Sequence, residues 1–134
     1  MASIETIAVI GAGTMGHGIA QVAAFNGFAV LLSDLDRDAL ARGVKSIEKN
    51  LAKGIALGKL TEVDRDRTLQ QIRGTTKLEE CAKADLIIEA APEKLDLKRE
   101  ILRQLESFSD RAFIFASNTS SLSISEIAWS LRPS

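Results

Sequence analysis

"IAVIGAGTMGHGIAQ", residues 7–21, is the stretch whose reading decides the fold. It opens within a short β-branched run, residues 4–10, that reads as a first strand ending at Gly11. It closes within "GHGIAQVAAFNG", residues 16–27, which is helix-like and stopped by Gly27 as a C-cap. The three glycines of "GAGTMG" therefore sit between a strand and a helix. In that setting Gly11 permits the tight turn off the strand, Gly13 lets the backbone approach a pyrophosphate, and Gly16 lets the helix pack close to the sheet. Thr14 and Met15 fill the variable positions, and the free N–H groups of the helix start face the anion.

A GxGxxG turn alone is a weak signal, and a glycine-rich turn without a ligand explains it equally well. Its context strengthens it: "FAVLLSD", residues 28–34, is a second strand that ends at Asp34, 18 residues after Gly16. Together these predict dinucleotide binding. Asp34 accepts hydrogen bonds from an adenosine ribose, whereas a 2′-phosphate there meets the charges of Asp34, Asp36 and Asp38, so NAD is expected over NADP. Arg37 is the residue that can receive such a phosphate, and its bland reading is a solvated helix residue. From these residues alone FAD and S-adenosylmethionine stay open. His17, the single histidine of the chain, falls on the pyrophosphate side of the turn. A nicotinamide lies a diphosphate and a ribose away, so His17 reads as structural and not as an acid/base group.

From Asp36, the apolar positions Leu40, Val44, Ile47 and Leu51 share one face of a helix that runs to about Leu57. Gly58 breaks it. Thr61 and Asp64 offer a variant capping box, and Val63, Leu69 and Ile72 predict a second helix ending near Gly74, giving a helical hairpin at about 36–73. "ADLIIEAA", residues 84–91, is a continuous apolar run of the buried parallel-strand kind, closed by Pro92. The helix after it places Leu97, Ile101, Leu105 and Phe108 on its buried face. "AFIFAS", residues 112–117, is the next strand, "NTSS" its exit loop, and Ser123 with Glu126 caps a last helix carrying Ile124, Ile127, Ala128 and Leu131. Alternating strands and helices predict an α/β fold, a Rossmann-type doubly wound parallel sheet with an inserted helical hairpin, as one domain over 1–134.

The 134 residues suit one domain that buries roughly two-thirds of its unfolded surface. Lys plus Arg number 17 against 18 Asp plus Glu, with no basic block and few aromatics, so the footprint of a nucleic-acid binder is missing. One cysteine, Cys81, and one histidine give neither an internal disulfide nor a metal cluster, which fits a reducing compartment and no metal. The start of the chain lacks a signal-peptide pattern, and the most apolar region, residues 19–32, is interrupted and short of the roughly 20 residues that cross a bilayer. A soluble, cytoplasmic protein without a membrane partner is expected.

Three stretches, "GAGTMGHGIAQVAA", "ADLIIEAAPEKLDLKREI" and "FASNTSSLSISEIA", resemble the 3-hydroxyacyl-CoA dehydrogenases, including the 3-hydroxybutyryl-CoA dehydrogenases, over essentially the whole chain. The second and third are more specific than the first and argue against FAD enzymes and methyltransferases. The resemblance implies that Glu93 and Lys98, in "PEKLDLK", lie along the nicotinamide side of NAD, and that Ser120 faces cofactor and substrate as a catalytic residue. Read from the residues alone, Glu93 is a favourable charge at a helix N-terminus, Lys98 a solvated partner of a neighbouring acid, and residues 118–121 a capped loop at a strand's carboxyl end. The resemblance also implies that the hairpin binds the CoA part of a substrate. Asn50 aligns with a family substrate contact, and Lys45, Lys49 and Lys53 form a basic stripe for CoA phosphates that a solvated helix face explains equally well.

The implied reaction is reversible oxidation of a 3-hydroxyacyl-CoA to the 3-ketoacyl-CoA with hydride passing to NAD. In the family the general base is a histidine, oriented by a glutamate, in a segment beyond the last residue of this chain, and a helical carboxyl-terminal domain completes the cleft and most of a homodimer contact. The expectation is the cofactor half of such an enzyme, binding NAD with little or no turnover. A stand-alone NAD-sensing regulatory module is the rival, and "SNTSSLSIS" with "PEKLDLK" is what such a sensor has no reason to carry.

Overall fold

A computed structural model describes residues 4–90, 95–108 and 114–117. Among them five strands pair in parallel: β1 (Thr6–Ile10), β2 (Ala29–Ser33), β3 (Ile72–Thr75), β4 (Leu86–Glu89) and β5 (Ile114–Ser117). Their order is β3-β2-β1-β4-β5. Parallel sheets are covered on both faces, which is why β1, β2 and β4 are nearly continuous apolar runs. Side chains alternate between the faces: Ile7, Val9, Val30 and Leu32 join one core, and Ala8, Ile10, Leu31 and Ile87 the other.

The first core is closed by α1 (Thr14–Phe25) and α2 (Arg37–Ala56). The buried residues of α1 are Gly16, Ala20 and Ala24, so small side chains let this helix lie close to the sheet. Asp36 caps α2 by accepting the Asp38 N–H at 2.9 Å, and Gly43, Ile47 and Leu51 form its buried stripe. The second hairpin helix, α3 (Glu62–Gln70), begins with the expected capping box, in which the Thr61 hydroxyl accepts the Asp64 N–H and the Asp64 carboxylate accepts the Thr61 N–H. Those bonds from Thr61 hold the Asp64 carboxyl below its ordinary pKa. The other core is closed by α4 (Leu78–Cys81) and α5 (Leu95–Phe108).

The sheet and hairpin follow the sequence reading, and four details correct it. The second hairpin helix does not continue to Gly74: it stops at Gln70, and Ile72 pairs with Val30 in β3. A four-residue edge strand carries too little pattern to compete with a helical spacing, and Val63, expected on the apolar face, is 73% exposed. Ile4 precedes β1 and is exposed. On α5 the buried stripe is Lys98, Ile101, Leu102 and Leu105, while Phe108, the last residue of the helix, is exposed. The fourth is the burial of Lys98, described with the site. The expected exit loop at 118–121 and last helix at 123–131 lie outside the described residues.

Cys81 is free, fully buried between α4 and the sheet, and burial pushes its thiol up to about 11. Because the neutral thiol is the protonated form, the unfolded chain releases this proton near 9.0 while the folded chain keeps it. The protein should therefore lose about 2–3 kcal/mol between pH 9 and 11 through this group. Urea unfolding of wild type and Cys81→Ala across that range checks this: the stability difference between them should change by that amount, and parallel curves would contradict it.

Candidate functional site: the glycine turn at the carboxyl edge of the sheet

From β1 the chain moves outward to β2 and β3 on one side and then crosses back to β4 and β5 on the other, so the crevice beyond the carboxyl ends of β1 and β4 is the topological switch point where ligands bind in such sheets. The glycine turn occupies that place. Gly11 has φ 104°, in the left-handed region that side chains disfavour, and its N–H donates to the Ser33 carbonyl at 2.7 Å. Asp34, half-buried at the end of β2, braces the same turn: Oδ2 accepts the Ala12 N–H at 3.0 Å and Oδ1 the Asp36 N–H at 2.9 Å. A carboxylate has about four acceptor sites, so a further donor can reach it from the crevice.

Gly13 is the N-cap of α1 and supplies no side-chain cap, and the first turn holds no acidic residue. The amides of Thr14, Met15 and Gly16 thus lack acceptors within the helix and present its positive end to the crevice. A Cβ on Gly13 meets nothing within 4 Å, so its missing side chain leaves the approach to those amides open. Gly16 is the opposite case. A Cβ there would stand 1.6 Å from the Gly11 carbonyl oxygen and 3.6 Å from the Ala90 Cβ, so the third glycine is required by the turn folding back on its own helix more than by the sheet. Gly43 brings α2 onto the turn in the same way, with a Cβ position 2.6 Å from the Ala12 oxygen. Beside the turn lies a cleft of about 250 Å³ whose walls include Thr14, His17, Arg42 and Ser46. His17 sits where expected: its Nδ1 is 2.8 Å from the Gly13 carbonyl and, facing an acceptor, donates to it, fixing the ring to the turn.

Across the switch point, Glu89 ends β4 in register with Ile10, and the Ala90 N–H donates to the Ile10 carbonyl at 2.7 Å. Lys98 is not solvated, contrary to the reading from residues alone. Its Nζ donates to both carboxylate oxygens of Glu89 at 2.5 Å, and both side chains are fully buried. The reason is helical spacing, which puts Lys98 on the same face as Ile101 and Leu102.

The 3-hydroxyacyl-CoA dehydrogenase NAD-binding domain profile matches residues 6–134. The chain belongs to the 3-hydroxyacyl-CoA dehydrogenase NAD-binding domain family. It is 42% identical over 132 residues to the 3-hydroxyadipyl-CoA dehydrogenase of Escherichia coli K12, covering 98% of this chain and 28% of that protein. It is 42% identical over 127 residues to the 3-hydroxybutyryl-CoA dehydrogenase of Bradyrhizobium diazoefficiens, covering 95% and 43%. The crystal structure of (S)-3-hydroxybutyryl-CoA dehydrogenase from Ralstonia eutropha superposes with a TM-score of 0.91 at 41% identity, over 96% of this chain and 45% of that one. The chain thus spans less than half the length of these relatives.

The cofactor of this NAD-binding domain is NAD, and the residues present fit it: an uncapped helix start, an open approach at Gly13 and an acceptor at Asp34. Gly11, Gly13, Thr14, Met15, Gly16 and Asp34 come together at one edge, and Lys98 lies across the switch point beneath the end of β4. Asn50 is elsewhere, exposed on α2 with its Nδ2 donating to Gln21 Oε1 at 3.3 Å. Lys45, Lys49 and Lys53 are exposed on the same helix, Lys53 in its last turn where a cation suits the helix dipole. Glu93 and Ser120 lie outside the described residues. The sequence reading missed Glu89, although an acid inside "LIIEAA" was the available signal, and it missed Arg42 and Ser46 because no spacing links them to the turn.

The two glycines should separate in mutants. Gly13→Ala should leave stability within about 0.5 kcal/mol and weaken NADH binding about tenfold, because the methyl enters the approach to the amides. Gly16→Ala should lower stability by about 1–3 kcal/mol through the clash with Gly11. Urea unfolding and fluorescence titration with NADH check both, and equal behaviour of the two variants would contradict the assignment.

Proposed function

We propose that this chain is the cofactor half of a 3-hydroxyacyl-CoA dehydrogenase, in which NAD accepts hydride from C3 of a 3-hydroxyacyl-CoA to give the 3-ketoacyl-CoA. The observation that carries the reading is the meeting of the uncapped α1 start and the Asp34 carboxylate at the switch point. The amides of residues 14–16 hold the pyrophosphate, and Asp34 takes the adenosine ribose hydroxyls. Asp36 and Asp38 stand close behind Asp34, two residues apart in the capped start of α2, so a 2′-phosphate is repelled and NAD is preferred over NADP.

On the β4 side, Glu93 and Lys98 belong to the nicotinamide half, and Ser120 orients the substrate oxygen against the cofactor as the catalytic residue of this chain. Asn50 and Lys53 meet the CoA portion of the substrate from the exposed side of α2. The proton at the substrate oxygen is handled by a histidine supplied from outside these residues, since His17 is committed to the turn. A carboxyl-terminal helical domain supplies that histidine, completes the cleft and makes the homodimer contact of the whole enzyme. The 134 residues alone bind NAD and turn over little or nothing.

Fluorescence titration with NADH and NADPH, for wild type and Asp34→Ala, tests this beside an assay of NADH oxidation with acetoacetyl-CoA. Saturable NADH binding is expected, about tenfold or more tighter than NADPH and weakened similarly in the variant, with no steady oxidation. Steady oxidation would overturn the half-enzyme reading, and absence of NADH binding would overturn the cofactor reading.

A further inference from the structure

Glu89 and Lys98 form a fully buried ion pair. An aliphatic pair of similar volume would stabilise the α5–sheet contact at least as well, because desolvating two charges offsets much of their attraction. The rest of the stripe, Ile101, Leu102 and Leu105, is aliphatic. The charges therefore contribute something other than packing, and their place indicates what. Glu89 is the last residue of β4, beside Ile10 where the glycine turn begins. Lys98 comes from the first turns of α5, nine positions on. The bidentate contact ties the two ends of the β4–α5 connection together beneath the carboxyl end of β4, and two hydrogen bonds to one carboxylate fix orientation as well as distance.

On the dinucleotide reading above, on which this inference rests, Asp34 holds the adenosine end on the β2 side and the turn holds the pyrophosphate. The other half of the cofactor then crosses to the β4 side. We propose that Glu89 is a positioning residue for that nicotinamide riboside half, acting by holding the Lys98 ammonium and with it the start of α5 against the end of β4. Glu89 itself touches no ligand. Its effect falls on one half of the cofactor and spares the other.

The test is titration of the 134-residue chain with NADH and with ADP-ribose, which keeps the adenosine and pyrophosphate and lacks the nicotinamide. Glu89→Gln, which keeps the shape and removes the charge, should weaken NADH about tenfold and change ADP-ribose by less than about twofold. Glu89→Asp keeps the charge, draws the carboxylate back by one methylene and should shift the NADH to ADP-ribose ratio in the same direction by a smaller factor. A parallel loss for both ligands, or no loss in a folded variant, would overturn the proposal, and so would failure of both variants to fold, which gives the pair a structural role alone. If wild type binds ADP-ribose and NADH not at all, the dinucleotide reading fails first and the proposal with it.

Discussion

The amides that open α1 have no acceptor inside their own helix, and the neighbouring structure is built to leave them so. A serine, threonine or aspartate at the N-cap would normally satisfy one of them, but Gly13 stands there and makes no side-chain bond. Holding an uncapped helix end at a defined place needs support from elsewhere. It comes from Gly11 in its left-handed turn, from Gly16 against the Gly11 carbonyl, from Gly43 bringing α2 onto Ala12, and from the Asp34 carboxylate on the Ala12 amide. Three of these four supports are glycines, Gly11 because its backbone is left-handed and Gly16 and Gly43 because their contacts are too close for a side chain, and the fourth is the half-buried acid at the end of β2. The fold and the site are therefore the same arrangement seen at two scales.

The two sides of the switch point are built differently. On the β2 side the polar groups are partly exposed and available: Asp34 is half-buried and Asp36 caps a helix at the surface. Among the described residues on the β4 side, Glu89 and Lys98 are withdrawn from solvent and paired to each other. An exposed acid suits direct recognition of hydroxyls, whereas a buried pair holds the scaffold in place. This asymmetry matches a ligand with a recognised end and a reacting end.

Most of the fold was legible because its signals are local and mutually consistent. The strand–turn–helix around "GAGTMG", the Thr61–Asp64 capping box and the apolar face of α2 each specify their own element without outside help. β3 was not legible, since four residues at a sheet edge are defined by their partner, β2, and not by their own periodicity. Phe108 was misplaced because a helical stripe extended to the last residue of a helix assumes that the core continues to the helix end, and Phe108 is exposed there. Spacing was enough to place the glycine turn and Asp34 side by side. Glu89 hid inside an apolar run, and Lys98 was taken as solvated because a lone lysine on a helix usually is. What decides their burial is that one side chain ends β4 and the other faces it from α5, a pairing across nine positions that no local pattern records.

The central claim is that the cofactor's anionic centre docks on the uncapped start of α1. Amide chemical-shift mapping of the ¹⁵N-labelled chain on addition of NAD tests it most directly. The largest shifts are predicted at Thr14, Met15 and Gly16, with a second group at Asp34. Shifts centred instead on Val22, Ala23 and Asn26, which with Thr14 and Met15 line an apolar groove of about 610 Å³ along the same helix, and leaving Gly16 and Asp34 unmoved, would contradict it.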